Sequence, residues 1–411
     1  MHEHLTILGI TLVILGYGYF SKLFGKYNIS GPMVFTAVGI LLSTLVLGDK
    51  PVGFNTEFVQ IIAEIALIVV LFSDAAALDL EQLKKHWRLP TRLLFVALPT
   101  TIIFSYFTAQ AFFPEETPLN ILLLALILAP TDAALGKIVV SDKRIPETVR
   151  NTINVESGLN DGIVFPVLLT VLAMITAGSS SSSEGWMAYI AQQISIGALA
   201  GAFIGWSGAK LSQITIKKEW IEHQYLNLIP IALAILSFYF AEHFHGNGYI
   251  AAFFAGLFLG NTNKTLKKNV EEFAESEGEL LIMISFLVFG LVFVPFMLPY
   301  LDLNTWVFAL LSLTVLRMLP IVLSFGFFKL DLSTRLFIGW FGPRGIASIL
   351  YILVAVHQLG NIKGHEQIFA AASLTILLSI LLHGLSAKPL AVLYSKYHAS
   401  DESQESKANK R

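Results

Sequence analysis

Apolar stretches long enough to cross a bilayer as helices, roughly 17 to 25 residues, recur thirteen times along the chain. They lie near residues 4–21, 32–48, 58–78, 92–113, 118–141, 151–176, 186–209, 222–242, 247–262, 278–299, 304–328, 333–356 and 367–395. Polar loops separate them. The pattern predicts an all-α polytopic membrane protein of about thirteen transmembrane helices, with the membrane domain occupying residues 1–397. The opening MHEHLTILGITLVIL has no basic n-region and no small-residue cleavage site, so it is expected to be the first span rather than a signal peptide. AGSSSSSEG at 177–185 reads as a flexible linker after span six. Residues 398–411 form a polar tail expected to fray, with no soluble regulatory domain behind it.

Composition agrees: 55% of the 411 residues are hydrophobic, 14% are charged, and the mean hydropathy is +0.68. A net charge of −2, without a basic tract beyond short loop clusters, argues against a nucleic-acid partner. The lack of cysteine excludes disulfides, thiol catalysis and cysteine-ligated metals. His243 and His245 sit at a span end with no acidic cluster beside them and read as loop histidines. Lys and Arg accumulate on the cytoplasmic side of membrane proteins. Loops after odd-numbered spans hold seventeen of the 27 basic residues, those after even-numbered spans only Lys50 and Lys363. This alternation puts the N-terminus outside and the C-terminus in the cytoplasm.

Against that background five charges are misplaced. Asp132, Glu156, Asp161, Arg317 and Arg344 lie inside apolar runs, where each costs at least ~2.5 kcal/mol. Such residues mark ion or substrate pathways. Counting 1.5 Å per residue from the cytoplasmic ends puts Asp132 at about 13 Å and Asp161 at about 15 Å, with both arginines near the same level. Pro130-Thr131 precedes Asp132, and Gly342-Pro343-Arg344-Gly345 interrupts span twelve. Proline removes a helix donor and glycine loosens the turn. Two breaks seven spans apart run in opposite directions, so spans one to six and eight to thirteen are expected to form inverted repeats whose broken helices cross at the midplane. On span six, Ser157 and Asp161 share one face, Glu156 and Asn160 the next. The first pair offers oxygens to a small hard cation; Glu156 suits an arginine, with Arg317 as its structural partner. Arg344 either lines the site or neutralises carbonyl ends at its break. Lys137 is expected to snorkel to the surface, Glu64 to face an interface or water, and Gly256 and Gly260 to permit close helix packing.

NVESGLNDG (154–162), APTDAA (129–134) and GPRG (342–345) resemble the monovalent cation/proton antiporters of the NhaP type, and the resemblance runs through spans one to thirteen. It implies that Asp161 binds cation and proton alternately, that Asp132 assists from the opposing broken helix, and that Ser157 and Thr131 add oxygens. It also implies a Glu156–Arg317 pair and a homodimer. The core would comprise about 92–176 and 304–395, and the dimer scaffold about 4–78 and 222–299. Where such antiporters often carry Phe-Glu-Gly-Gly, this chain has Phe72-Ser73-Asp74-Ala75, making Asp74 and Ser73 accessory candidates. Asn160 before Asp161, rather than a second aspartate, resembles the electroneutral branch.

The expected function is therefore exchange of a monovalent cation, sodium first and lithium next, for a proton in a prokaryotic plasma membrane, by a secondary transporter rather than an enzyme, without a cofactor. A buried carboxylate can be neutralised by either ion, so the two compete for Asp161. A potassium/proton antiporter is an alternative, and so, from another class, is a cation channel, although no repeated pore-filter segment is visible. The aspartates lack the Gly-x-Gly-Asp setting expected of an intramembrane aspartyl protease.

Overall fold

The computed structural model describes residues 2–44, 57–81, 87–177, 183–222, 225–273, 278–326, 330–360 and 362–408. Their regular structure is helical. Among the described residues six helices are individually long and apolar enough to cross a membrane, and five shorter apolar helices accompany them. The thirteen expected spans correspond to His2–Lys26, Gly31–Leu42, Glu57–Ala77, Arg88–Phe112, 118–140, Glu147–Ala177, Ser183–Lys217, Leu228–His243, Gly248–Thr262, Glu279–Tyr300, Leu303–Ser324, 332–359 and Glu366–Ala408. Two are split. Span five consists of Pro118–Ile127 and Ala133–Val140, and span twelve of Leu332–Trp340 and Ile346–Leu359. The splits in spans five and twelve fall seven spans apart, at the places the sequence breaks predicted.

Local sequence explains the element ends. Thr117, Asn247, Asp302 and Asp331 each accept a backbone N–H three residues on, capping spans five, nine, eleven and twelve. Spans four and ten each contain a widened π turn, Leu93–Ala97 and Phe289–Phe293, ending two residues before Pro99 and Pro295. A wider turn accommodates the missing proline donor and its ring.

Three features differ from the sequence expectation. Lys264–Phe273, expected as a basic loop, is an amphipathic helix that buries Leu266, Val270 and Phe273. The last span continues to Ala408 through DESQESKA, whose Glu, Gln, Lys and Ala favour helix. Of the serine linker, 178–182 lie outside the described residues, and Ser183 to Gly185 already open span seven. The Lys137 side chain also lies outside the described residues.

The helices pack as two bundles. Spans four, five, six, eleven, twelve and thirteen contact one another, and spans one, two, three, seven, eight, nine and ten form the second group. The bundles meet where spans three and ten pack on spans six, twelve and thirteen. Close approach in the second group depends on missing side chains. A Cβ on Gly256 or Gly260 of span nine would strike the Phe72 or Ala76 carbonyl of span three. Gly201 and Gly205 of span seven stand likewise against Ala251 and Ala255 of span nine, a small-residue pattern the sequence reading passed over.

Candidate ion site at the helix crossing

Each interrupted helix frees backbone groups that must be paired when buried, and here the two breaks pair each other. The Asp132 N–H donates to the Pro343 carbonyl at 2.8 Å. Asp132 Oδ2 accepts the Ile346 N–H at 2.8 Å and so caps the second half of span twelve. That carboxylate occupies the space a Cβ on Gly345 would need, which makes glycine a requirement of the crossing. Ser348 closes the reverse contact, donating its hydroxyl to the Ile127 carbonyl at 2.7 Å, where the first half of span five ends. On the other side of span twelve, Ser379 Oγ accepts the Arg344 N–H at 2.7 Å, and His383 Nε2 lies 2.9 Å from the Trp340 carbonyl.

Thr131, in the span-five break, joins that segment to span six. Its hydroxyl lies 3.1 Å from Ser157 Oγ and accepts from Asn160 Nδ2 at 2.7 Å. Tyr351 donates to the Asp161 backbone carbonyl at 3.3 Å. Thr131, Asp132, Ser157, Asn160 and Asp161 are all buried. Asp161 Oδ1 and Asn160 Oδ1 are buried atoms without a hydrogen-bond partner among the described residues. Asp74 stands within electrostatic range of both Asp132 and Asp161, deeper in the site than its place near the end of span three suggested. Ser73 turns back on its own helix, donating to the Val69 and Val70 carbonyls.

The positive charges lie to one side. Arg317 meets Glu156 at 2.6 Å, with both side chains buried. Gly342 gives the Arg317 guanidinium its room, since a Cβ there would overlap it. Arg344 donates from Nη1 to the Gly342 carbonyl at 2.6 Å, the carbonyl-end arrangement rather than the site-lining one. Glu64 accepts from Tyr239 of span eight at 3.0 Å. Outside the membrane, Arg144 clamps Asp142 in the loop joining spans five and six, and its hydrogen bonds hold that carboxyl below the usual carboxylate range.

The sequence reading missed Tyr351, Ser348, Ser379 and His383. His383 carried a usable signal, as a titratable residue inside the long apolar run of span thirteen. The other three are ordinary residues on regular helices, recruited only by the crossing.

The donor set is one free carboxylate oxygen, two hydroxyls and an amide oxygen, with a second carboxylate committed to a helix N-terminus. Neutral oxygens around one carboxylate suit a singly charged hard cation. Among the described residues no three His, Asp or Glu side chains converge on one point.

Comparisons with known proteins cover nearly the whole chain. The transmembrane sodium/hydrogen exchanger family profile matches residues 9–393. A "Probable Na(+)/H(+) antiporter" of Schizosaccharomyces pombe is 26% identical over 324 residues, 74% of this chain and 42% of that protein. A K(+)/H(+) antiporter NhaP of Alkalimonas amylolytica is 25% identical over 362 residues, 87% of this chain and 61% of that protein. The chain thus spans less than two thirds of the length of either relative. The solved structure of the sodium proton antiporter MjNhaP1 from Methanocaldococcus jannaschii at pH 8 superposes with a TM-score of 0.76 at 20% identity, covering 96% of this chain and all of that one.

Proposed function

Because this chain belongs to the transmembrane sodium/hydrogen exchanger family, we propose that it exchanges a monovalent cation for a proton by alternating access, with both ions competing for Asp161. The observation that carries the reading is the buried, partnerless Asp161 carboxylate oxygen beside the Thr131–Ser157–Asn160 network. Asp161, Ser157 and Thr131 are the cation ligands. Asp132 sets the crossing by capping the second half of span twelve, and Asp74 adds negative charge beside the site. Asn160 orients Thr131 and cannot titrate, which favours one proton per cation and an electroneutral cycle. The Glu156–Arg317 pair and Arg344 are structural. Spans four to six and eleven to thirteen form the moving core against the second bundle, which is the dimer scaffold of a homodimer. The basic loops face the cytoplasm of a prokaryotic cell.

Sodium is the first candidate substrate and lithium the next. Potassium is a second reading, supported by the K(+)/H(+) antiporter among the relatives. The decisive experiment follows internal pH in reconstituted vesicles as sodium, lithium or potassium is added outside. The expected outcome is saturable, cation-driven proton movement that disappears in Asp161→Asn. Cation flux without proton movement would make the protein a channel instead.

A further inference from the structure

The second half of span twelve is seated on spans five and six at three points. Asp132 caps it at Ile346, and Ser348 donates to the carbonyl that ends the first half of span five. Tyr351, three residues after Ser348 and on the same face, donates to the Asp161 carbonyl of span six at 3.3 Å. The same hydroxyl lies within hydrogen-bonding reach of the Asp161 carboxyl group. Tyr351 is fully buried, and the ligand set of Asp161, Ser157 and Thr131 makes no use of it.

A tyrosine hydroxyl has one proton to give and lone pairs to share. With its proton on a main-chain carbonyl, the Tyr351 oxygen keeps acceptor capacity beside the carboxylate whose Oδ1 has no hydrogen-bond partner among the described residues. The ring sets where that oxygen stands. It packs on Phe165 at 5.0 Å, Phe165 meets Tyr249 edge-on at 5.2 Å, and Tyr249 meets Phe238 edge-on at 4.8 Å. This aromatic row runs from spans twelve and six to spans nine and eight, so the ring is braced from both bundles. A serine or threonine hydroxyl moves by rotation about one side-chain bond, whereas the Tyr351 oxygen moves only with its ring.

We infer that Tyr351 is a specificity-determining residue of the Asp161 site: its hydroxyl oxygen is a further cation ligand, held by the aromatic row where it favours sodium and lithium over potassium. The inference rests on the antiport reading. Attraction between a cation and an oxygen grows as their separation shrinks. A small cation therefore gains more from each ligand oxygen and loses more when one is removed. Discrimination between cations of equal charge depends on cavity size, ligand number and ligand flexibility, and a ring braced from both bundles supplies the least flexible of the hydroxyl oxygens here.

The test compares half-saturating concentrations of sodium, lithium and potassium for cation-driven proton movement in reconstituted vesicles. Tyr351→Phe removes one oxygen and keeps the ring. It is expected to raise the sodium and lithium values about fivefold and the potassium value by less than about twofold. Phe165→Leu keeps the hydroxyl but loosens its seat, and is expected to bring the sodium and potassium values closer together; if Tyr351→Phe does not fold, this variant decides by the same ratio. A purely structural tyrosine would shift all three cations equally, so equal shifts, or a sodium-to-potassium ratio unchanged in either variant, would overturn the inference. Absence of proton-coupled flux in the wild type would overturn the antiport reading instead. Stabilisation of the detergent-solubilised protein by sodium against potassium would then still decide the role of the hydroxyl. Loss of sodium's advantage in Tyr351→Phe would support it as a ligand, and an advantage retained, or none in the wild type, would overturn it.

Discussion

The breaks in spans five and twelve are the same backbone device put to different chemical use. Each splits an apolar helix at mid-depth, and each supplies a half-helix N-terminus to the crossing. The span-five break carries Thr131 and Asp132, oxygen donors turned towards span six and towards the opposing N-terminus. The span-twelve break is enclosed by cations and neutral donors: Arg344 on the Gly342 carbonyl, Arg317 over Gly342, and His383 against the Trp340 carbonyl. Side chains around the second break therefore serve to keep an unwound segment paired in a buried setting, while the first break turns Thr131 towards span six and Asp132 onto the opposing helix end. An interrupted membrane helix marks a site, but its own side chains decide whether it supplies ligands or holds the frame.

That contrast makes graded predictions. The largest stability loss is expected from Arg317→Met, which leaves Glu156 buried alone at a cost of about 3–5 kcal/mol. Thermal unfolding in detergent measures it, and a matched Glu156→Met/Arg317→Met double variant should recover most of the loss. If the stable double variant still fails to transport, the arginine side is not merely a frame and the contrast breaks. Next, Asp132→Asn should abolish transport while lowering stability by no more than about 1 kcal/mol, because an amide oxygen still accepts the Ile346 N–H. Thr131→Val should fold normally and weaken cation affinity roughly tenfold, read as half-saturation in the vesicle assay. The smallest effect is expected from Ser348→Ala, about 1 kcal/mol of stability with unchanged ion preference, since only the Ile127 carbonyl loses its partner. A change in ion preference there would extend the ligand set to span twelve.

Much of the site was legible because the bilayer makes polar residues conspicuous. Asp132, Asp161, Glu156 and Arg317 stood out by cost alone, and the i,i+4 spacing on span six separated the Ser157–Asp161 face from the Glu156–Asn160 face. Asn160 illustrates the limit. Its neighbour Glu156 does meet Arg317, yet Asn160 turns to Thr131 instead, a choice made by the approach of the span-five break. Asp74 lies three residues before the end of span three, and depth along one helix says nothing of how near another helix passes; packing of span three on span six brings it within electrostatic range of Asp161. Ser73 had the right residue type and the wrong orientation.

The sequence by itself determined the membrane class, the approximate number of spans, the location of both breaks and the identity of the buried charges. Each follows from local physics: apolar length against bilayer thickness, charge against hydrocarbon, and proline and glycine against helix continuity. Which groups pair across the midplane was decided only by the tertiary structure. Asp132 on Ile346, Tyr351 on Asp161 and Ser348 on Ile127 arise from contacts between segments far apart in the chain, whose geometry comes from the packing of two bundles rather than from any local pattern.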